Sequence, residues 1–210
     1  MQKNTEISID PKKAALLLLH WQNDIASPAG KNAQDLPERL KTAGIIEHTQ
    51  AVLEASRKKG IPVFYVNAAH RPGYPEMPAK CSPMSSMLAK LGVMIKGTWG
   101  AGVIDELKPD DNDIIIDNSS TSGFCYTDLD LILRNKGITD IVLSGLATNF
   151  VVESTARDGF NMGYRVFTLE DCCMSLNDEV HNWTITNILS FIGWVIDSKT
   201  YIAALESTSS

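Results

Sequence analysis

The sequence has no excess of basic charge, no long apolar run and no paired-cysteine motif, and each absence removes a class of function. Nineteen lysines and arginines stand against 25 aspartates and glutamates, a net charge of -6 over 210 residues. A surface with that balance has no general attraction to phosphate backbones, so nucleic acid is not an expected partner. The longest purely aliphatic run, Ala14 to Leu19, falls far short of the roughly 20 residues a membrane-spanning helix requires. The opening residues Met1-Gln2-Lys3-Asn4-Thr5-Glu6 are polar and lack an apolar signal core, which predicts a cytoplasmic protein without a membrane partner. The four cysteines, Cys81, Cys125, Cys172 and Cys173, show neither CxxC nor metal spacing. In a chain that is not exported they read as reduced thiols.

What is present is ordinary globular material, with 44% hydrophobic and 21% charged residues. No linker, repeat or low-complexity tract divides the chain. It reads as one domain over 1–210, with an N-terminal extension at 1–12 and a flexible tail at 206–210. Strand-like runs fall at Ala14–Leu19, Val63–Val66, Asp113–Ile116, Ile141–Ser144, Val166–Leu169 and Trp194–Ile196. They are apolar almost continuously, the pattern of strands covered on both faces. Helical stretches at Pro37–Lys59, Thr127–Lys136, Asn149–Met162 and Asp178–Phe191 each end at a glycine. Alternation of this kind predicts a parallel sheet with helices on both faces. The exception is Ala68 to Asp105, rich in glycine and proline with one short helix at Met84–Leu91. An excursion of that length in a compact domain serves as a lid or an oligomer contact.

In a doubly wound sheet, chemistry sits beyond the carboxyl ends of the strands, near the point where strand order reverses. That rule selects His20 to Asp24, Asn67 to His70, Asp117 to Ser120, and Gly145 to Asn149. At those residues the chain resembles the isochorismatase-like hydrolases, a superfamily that includes nicotinamidases, N-carbamoylsarcosine amidases and isochorismatases. The resemblance rests on Ala14-Leu-Leu-Leu-Leu-His-Trp-Gln-Asn-Asp24, Lys96-Gly-Thr-Trp-Gly100, Ser122-Gly-Phe124 with Thr127-Asp-Leu129, and Gly145-Leu-Ala-Thr-Asn149 followed by Glu153-Ser-Thr-Ala-Arg157. Gly163-Tyr-Arg-Val166 and Glu170-Asp171 complete it, so that it runs from about Lys13 to about Leu205. It implies a three-layer α/β/α fold on a doubly wound six-stranded parallel sheet, assembled as a homo-oligomer.

Amidases of that superfamily use an aspartate, a lysine and a cysteine, whose positions fall here on His20, Asn118 and Val151. Valine has no heteroatom to attack a carbonyl, and asparagine lacks the lysine's charge. Histidine alone can still exchange a proton near neutral pH. The resemblance further implies a cis peptide at Leu146–Ala147 and an oxyanion hole made by the backbone N–H groups of Ala147 and Val151, which do not depend on side-chain identity. The expected reading is therefore a hydrolase-like protein that acts on or binds a small carbonyl or carboxylate compound without covalent cysteine chemistry. His20 is its acid/base, as an imidazolium if the reaction is vinyl-ether cleavage. The alternative is an inactive relative that binds a small molecule or serves as a structural subunit.

Each assignment has a structural counterpart. His20 can be a core histidine, and Asn118 with Ser119 and Ser120 a plain turn. Asp24 can simply shape its loop, and Trp21 and Trp99 can be core aromatics rather than pocket walls. His70 beside Arg71 can clamp an anion or lie on a solvated lid, and Thr148 belongs to the loop that carries the hole. Cys172 and Cys173 read as small core residues, and Ile185 to Ile196 as helix core and subunit contact. No cofactor is expected, and no metal: the nicotinamidase-type site needs an aspartate and several histidines after the second strand, where this chain has Asn67 and His70 and no further histidine before His181.

Overall fold

The computed structural model describes residues 7–77 and 82–207. Six parallel strands form one sheet in the order β3-β2-β1-β4-β5-β6. They span Ala14–Leu19 (β1), Val63–Ala68 (β2), Ile114–Asn118 (β3), Asp140–Leu146 (β4), Arg165–Met174 (β5) and Trp194–Ile196 (β6). Every strand pair is parallel, and the order reverses between β1 and β4, which lie side by side with Leu19 opposite Gly145.

The unbroken apolar character of β1 follows from the two layers it separates. Ala14, Leu16 and Leu18 point into one core, with Leu40, Val52 and Tyr201; Ala15, Leu17 and Leu19 point into the other, with Leu133, Ala156 and Leu189. Period-two geometry puts alternate residues on opposite faces, so a strand covered on both sides has no position for a polar residue. The first layer is built by helices α2 (Leu36–Thr42), α3 (Ile45–Lys58) and α9 (Ser198–Ser207). The second is built by α5 (Leu129–Asn135), α6 (Glu153–Asn161) and the run 178–192. That run comprises α7 (Asp178–Thr184), a π-helical turn (Ile185–Leu189) and α8 (Ser190–Ile192). Two short helices complete the molecule, α1 (Asn23–Ala26) and α4 (Pro83–Leu91).

The predicted elements fall close to where the sequence places them, but β5 runs on to Met174, past the expected Leu169, and α1 is unanticipated. Pro37–Lys59 is broken into α2 and α3 at Gly44, whose φ of 68° puts it in the left-handed region. Asn149–Met162 starts one residue earlier, as a π-helical turn over Thr148–Val152 that leads into α6. The expected tail reaches back into α9 at Glu206 and Ser207, while 208–210 lie outside the described residues. In the N-terminal extension, Ile9 is fully buried against the first layer. Gly145 is obligatory at the reversal point: a Cβ there would lie 2.4 Å from the Leu19 carbonyl oxygen. Among the described residues no helix is long and apolar enough to cross a membrane.

Candidate active site at the strand C-termini

All four predicted loops meet at the carboxyl edge of the sheet, held there by side chains that bridge them. Gln22 is completely buried. Its Nε2 donates to the carbonyls of Ala68 and Ala101 at 2.8 Å each, and its Oε1 accepts the Ala68 N–H at 2.7 Å. One side chain thus joins the turn after β1, the end of β2 and the end of the excursion. Asp24 performs a parallel task, because its carboxylate accepts the Met94 N–H at 2.7 Å and the Lys31 N–H at 3.3 Å. The acid packs so closely over Gly100 that a Cβ there would meet its oxygen at 2.2 Å. Asp24, read from the sequence as a substrate contact or as a shaper of its loop, holds the excursion down. The Lys96–Asp117 and Arg71–Glu76 ion pairs and the Tyr74 hydroxyl on the Val93 carbonyl (2.7 Å) reinforce the same cover.

His20 follows β1 with a φ of 57°, in the left-handed region that costs an L-residue about 1–2 kcal/mol. Its N–H donates to the Val66 carbonyl at 2.9 Å, which sets it beside Asn67, the next residue of β2. Nε2 of the ring is shielded from solvent and has no partner. Burial, with a smaller contribution from the nearby His70 ring, lowers the His20 pKa from 6.5 to about 4. The side chain is consequently a neutral imidazole at physiological pH. The ring therefore carries a single proton at physiological pH, and the imidazolium that vinyl-ether cleavage would need is disfavoured. Tyr74 and Met94, both in the cover, also have positive φ values of 52°. Three non-glycine residues in this sparsely populated region gather about one site, a distribution associated with function rather than packing.

Asn118 ends β3, two strands away from β1 with β2 between, so roughly 10 Å separates the chain ends. Its side chain turns back on its own loop: Nδ2 donates to the Ser122 carbonyl at 3.1 Å, and Oδ1 accepts from Ser120 N–H at 2.6 Å. Ser119 is half-buried beside it. Val151 is 1% exposed and packs in the second core with Leu19, Val152 and Ala156. The three triad-equivalent positions thus share one edge of the sheet, but only His20 presents an unpartnered polar atom there. The Leu146–Ala147 peptide is cis. After it, Phe150 and Val152 N–H groups both bond the Ala147 carbonyl, at 3.1 and 3.4 Å, and wind the backbone through Val151 into its π turn. Thr148 is fully buried, with its hydroxyl 2.8 Å from Nδ1 of His181 on α7.

The two tryptophans part company. Trp21, expected to line the pocket, is fully buried in the first core, and its indole N–H donates to Ser144 Oγ at 3.1 Å. Strand alternation accounts for this: one residue beyond His20, the ring swings back under the sheet. Trp99 is 56% exposed and lies at the rim, its carbonyl accepting from Asn23 Nδ2. His70 is buried against the Tyr74 ring, at 5.4 Å between centroids, and its pKa is lowered by burial although Glu76 pulls the other way. It is thus part of the covered floor and not of a solvated lid. Among the described residues no group of three or more His, Cys, Asp or Glu side chains gathers to hold a metal. Cys172 and Cys173 are buried, and burial drives both thiols upward, Cys173 to about 12. Cys125 is half-buried beyond the β3 loop, and Cys81 lies outside the described residues.

Sequence reasoning passed over Gln22, Asn67 and His181 as individual site residues. Gln22 carried a signal, a polar residue inside the motif that follows β1; His181 carried none, since its contact crosses from a distant helix.

An Isochorismatase domain model matches residues 14–200. The chain belongs to the isochorismatase family. It is 34% identical over 211 residues to a ureidoacrylate amidohydrolase RutB of Methylobacterium radiotolerans, which covers 95% of this chain and 82% of the relative. The like-named protein of Acinetobacter baylyi is 34% identical over 208 residues, covering 93% and 85%. Among solved structures, a cysteine hydrolase from Pseudomonas syringae pv. phaseolicola superposes with a TM-score of 0.85 at 25% identity, covering 96% of each chain. The N-carbamoylsarcosine amidase of Thermoplasma acidophilum gives 0.71 at 31% identity, covering 89% of this chain and 96% of its own. The fold, the cis peptide and the family agree with what the motifs implied.

Proposed function

We propose that this isochorismatase-family protein hydrolyses a carbonyl C–N bond of a small amide-like or ureido-like compound with a water molecule as nucleophile. The observation that carries this reading is His20: a neutral, unpartnered imidazole stands at the strand-order reversal, and the position of the family's thiol is a hydrocarbon packed in the core. His20 takes a proton from water as the oxygen adds to the carbonyl carbon, the negative charge developing beside the ring raising its basicity at that moment. The oxyanion that forms is met by the backbone N–H groups of Ala147 and Val151. Collapse of the tetrahedral species expels the amine, which receives the proton back from His20. The relatives named as amidohydrolases and amidase support the choice of bond.

Ammonia release from a panel of small ureides and carboxamides tests this. Turnover that iodoacetamide leaves intact, and that His20→Asn abolishes without lowering the melting temperature, is the expected result. Turnover lost on alkylation overturns it. A second reading, a non-catalytic binder, is favoured by the packing of Val151 into the core and by the burial of His20 Nε2. It replaces the first if ligands shift the melting temperature while no panel member is turned over. The protein is further proposed to act in the cytoplasm as a homo-oligomer. Val180, Trp183 and Phe191 are 39%, 57% and 82% exposed on the run 178–192, apolar side chains that a second copy would cover.

A further inference from the structure

Four polar atoms without partners collect at the carboxyl edge of β1 and β2 and in the cover above it: Nε2 of His20, Oδ1 of Asn67, Nδ1 of His70 and Oε2 of Glu76, all shielded from solvent. Among the described residues one other buried side-chain atom shares this condition, Nε of Arg57, and it has the Asp110 carboxylate 3.2 Å away. Native proteins leave few buried polar groups unsatisfied, and a concentration of them in one place marks where something else supplies the hydrogen bonds. His70 and Asn67 are 4% and 8% exposed, so they are held in the floor of the site and not on its rim.

Two of the four atoms only accept, and the other two accept in one ring tautomer and donate in the other. The acceptor-only pair are a carboxamide oxygen and a carboxylate oxygen, and burial keeps both rings neutral. No cation is aimed among them. The Arg71 guanidinium is 74% exposed and engaged by Glu76, Lys96 is engaged by Asp117, and the Lys31 ammonium donates to the Gly92 carbonyl at 3.0 Å. The buried Asp24 carboxylate, answered only by backbone N–H groups, adds negative charge beneath the cover.

The geometry points to a ligand whose recognised head is planar, rich in N–H donors and not anionic, of amidine or guanidine type, seated between His20, Asn67 and His70 beneath the 70–104 segment. A carboxylate head would bring acceptors to the acceptor-only oxygens of Asn67 and Glu76 and find no cation. This inference rests on the reading that the strand ends form the ligand site, and it narrows the carbonyl or carboxylate compound expected from sequence to one end of that chemical range.

Benzamidine, benzamide and benzoate share a ring and a planar head while differing in donors and charge. Calorimetric titration of each into the full-length protein reads the preference directly. Benzamidine is expected to bind most tightly and benzoate most weakly. Asn67→Leu should weaken benzamidine about tenfold, the loss of one hydrogen bond to a charged group. The near-isosteric Asn67→Asp should tighten benzamidine and weaken benzoate further, and it keeps the test decisive if the leucine variant does not fold. Benzoate binding tightest, none of the three binding at millimolar concentration, or benzamidine indifferent to both changes at Asn67 would each overturn the inference. His20-dependent ammonia release in a protein that ignores benzamidine would leave the hydrolase reading standing and this one fallen. Asn67-dependent benzamidine binding in a protein without turnover would do the reverse.

Discussion

The burial of His20 predicts a pH dependence of stability that a single substitution should remove. The folded-state pKa is lowered from 6.5 to about 4, because the charged ring would lose hydration and face His70. The sign follows from that direction. The unfolded chain takes up the proton as pH falls through 6.5, whereas the folded chain refuses it until about 4. Protonation therefore favours unfolding across that window, and the stability present above it is lost on acidification. A shift of this size is worth about 3 kcal/mol in full, and the part lost between about pH 7 and pH 5 is about 2 kcal/mol. Asparagine is the right replacement, since it does not titrate and tolerates the left-handed backbone that His20 adopts. Urea unfolding of wild type and His20→Asn at both pH values should show the wild type losing about 2 kcal/mol more than the variant. His181 is also lowered by burial and contributes equally to both proteins, while His70, whose ring faces His20, is followed separately by its own imidazole resonance. Equal losses, or an imidazole resonance of His20 titrating near its ordinary value, would refute the reasoning.

Two further substitutions probe what surrounds the site. Gln22→Leu strips the partners from the Ala68 N–H and the Ala68 and Ala101 carbonyls, and at about 1–3 kcal/mol for each buried group left unpaired it should destabilise by roughly 3–5 kcal/mol; a denaturant midpoint near that of wild type would show that water replaces the amide. Phe191→Asp combined with Trp183→Asp places two carboxylates on the exposed apolar stripe of the run 178–192, so light scattering should report a smaller particle while the monomer stays folded. An unchanged mass would move the subunit contact elsewhere.

Much of the architecture was legible because strand and helix periodicities are local properties. Ala14–Leu19 reads as buried on both faces from its residues alone, and both cores confirm it. The glycines at 60, 137 and 163 were expected to end helices, and they lie at φ values of 71°, 70° and 89°. Gly193 ends its helix differently. It runs extended, and a Cβ would strike the Val166 carbonyl oxygen at 2.4 Å, so its role is close approach to β5, a contact between segments that no local pattern encodes.

The site divides along the same line. Which loops converge follows from their place at the carboxyl ends of parallel strands, which the strand pattern and the resemblance already implied. What each side chain does there depends on partners far away in sequence: Trp21 turns inward to Ser144, 123 residues on, and Thr148 meets His181, 33 residues on. Asp24 shows why residue type alone misleads. A buried acid beside the turn after β1 invites a chemical role, yet the backbone N–H groups of Met94 in the cover and of Lys31 donate to its carboxylate, and Gly100 leaves it no room to turn. His20 is the converse case. Its neighbours satisfy nothing on Nε2, and that unmet demand, not the identity of the residue, is what singles it out for the proposed role. The same criterion selects Asn67 and His70 and passes over Asn118, whose carboxamide is already spent on its own turn.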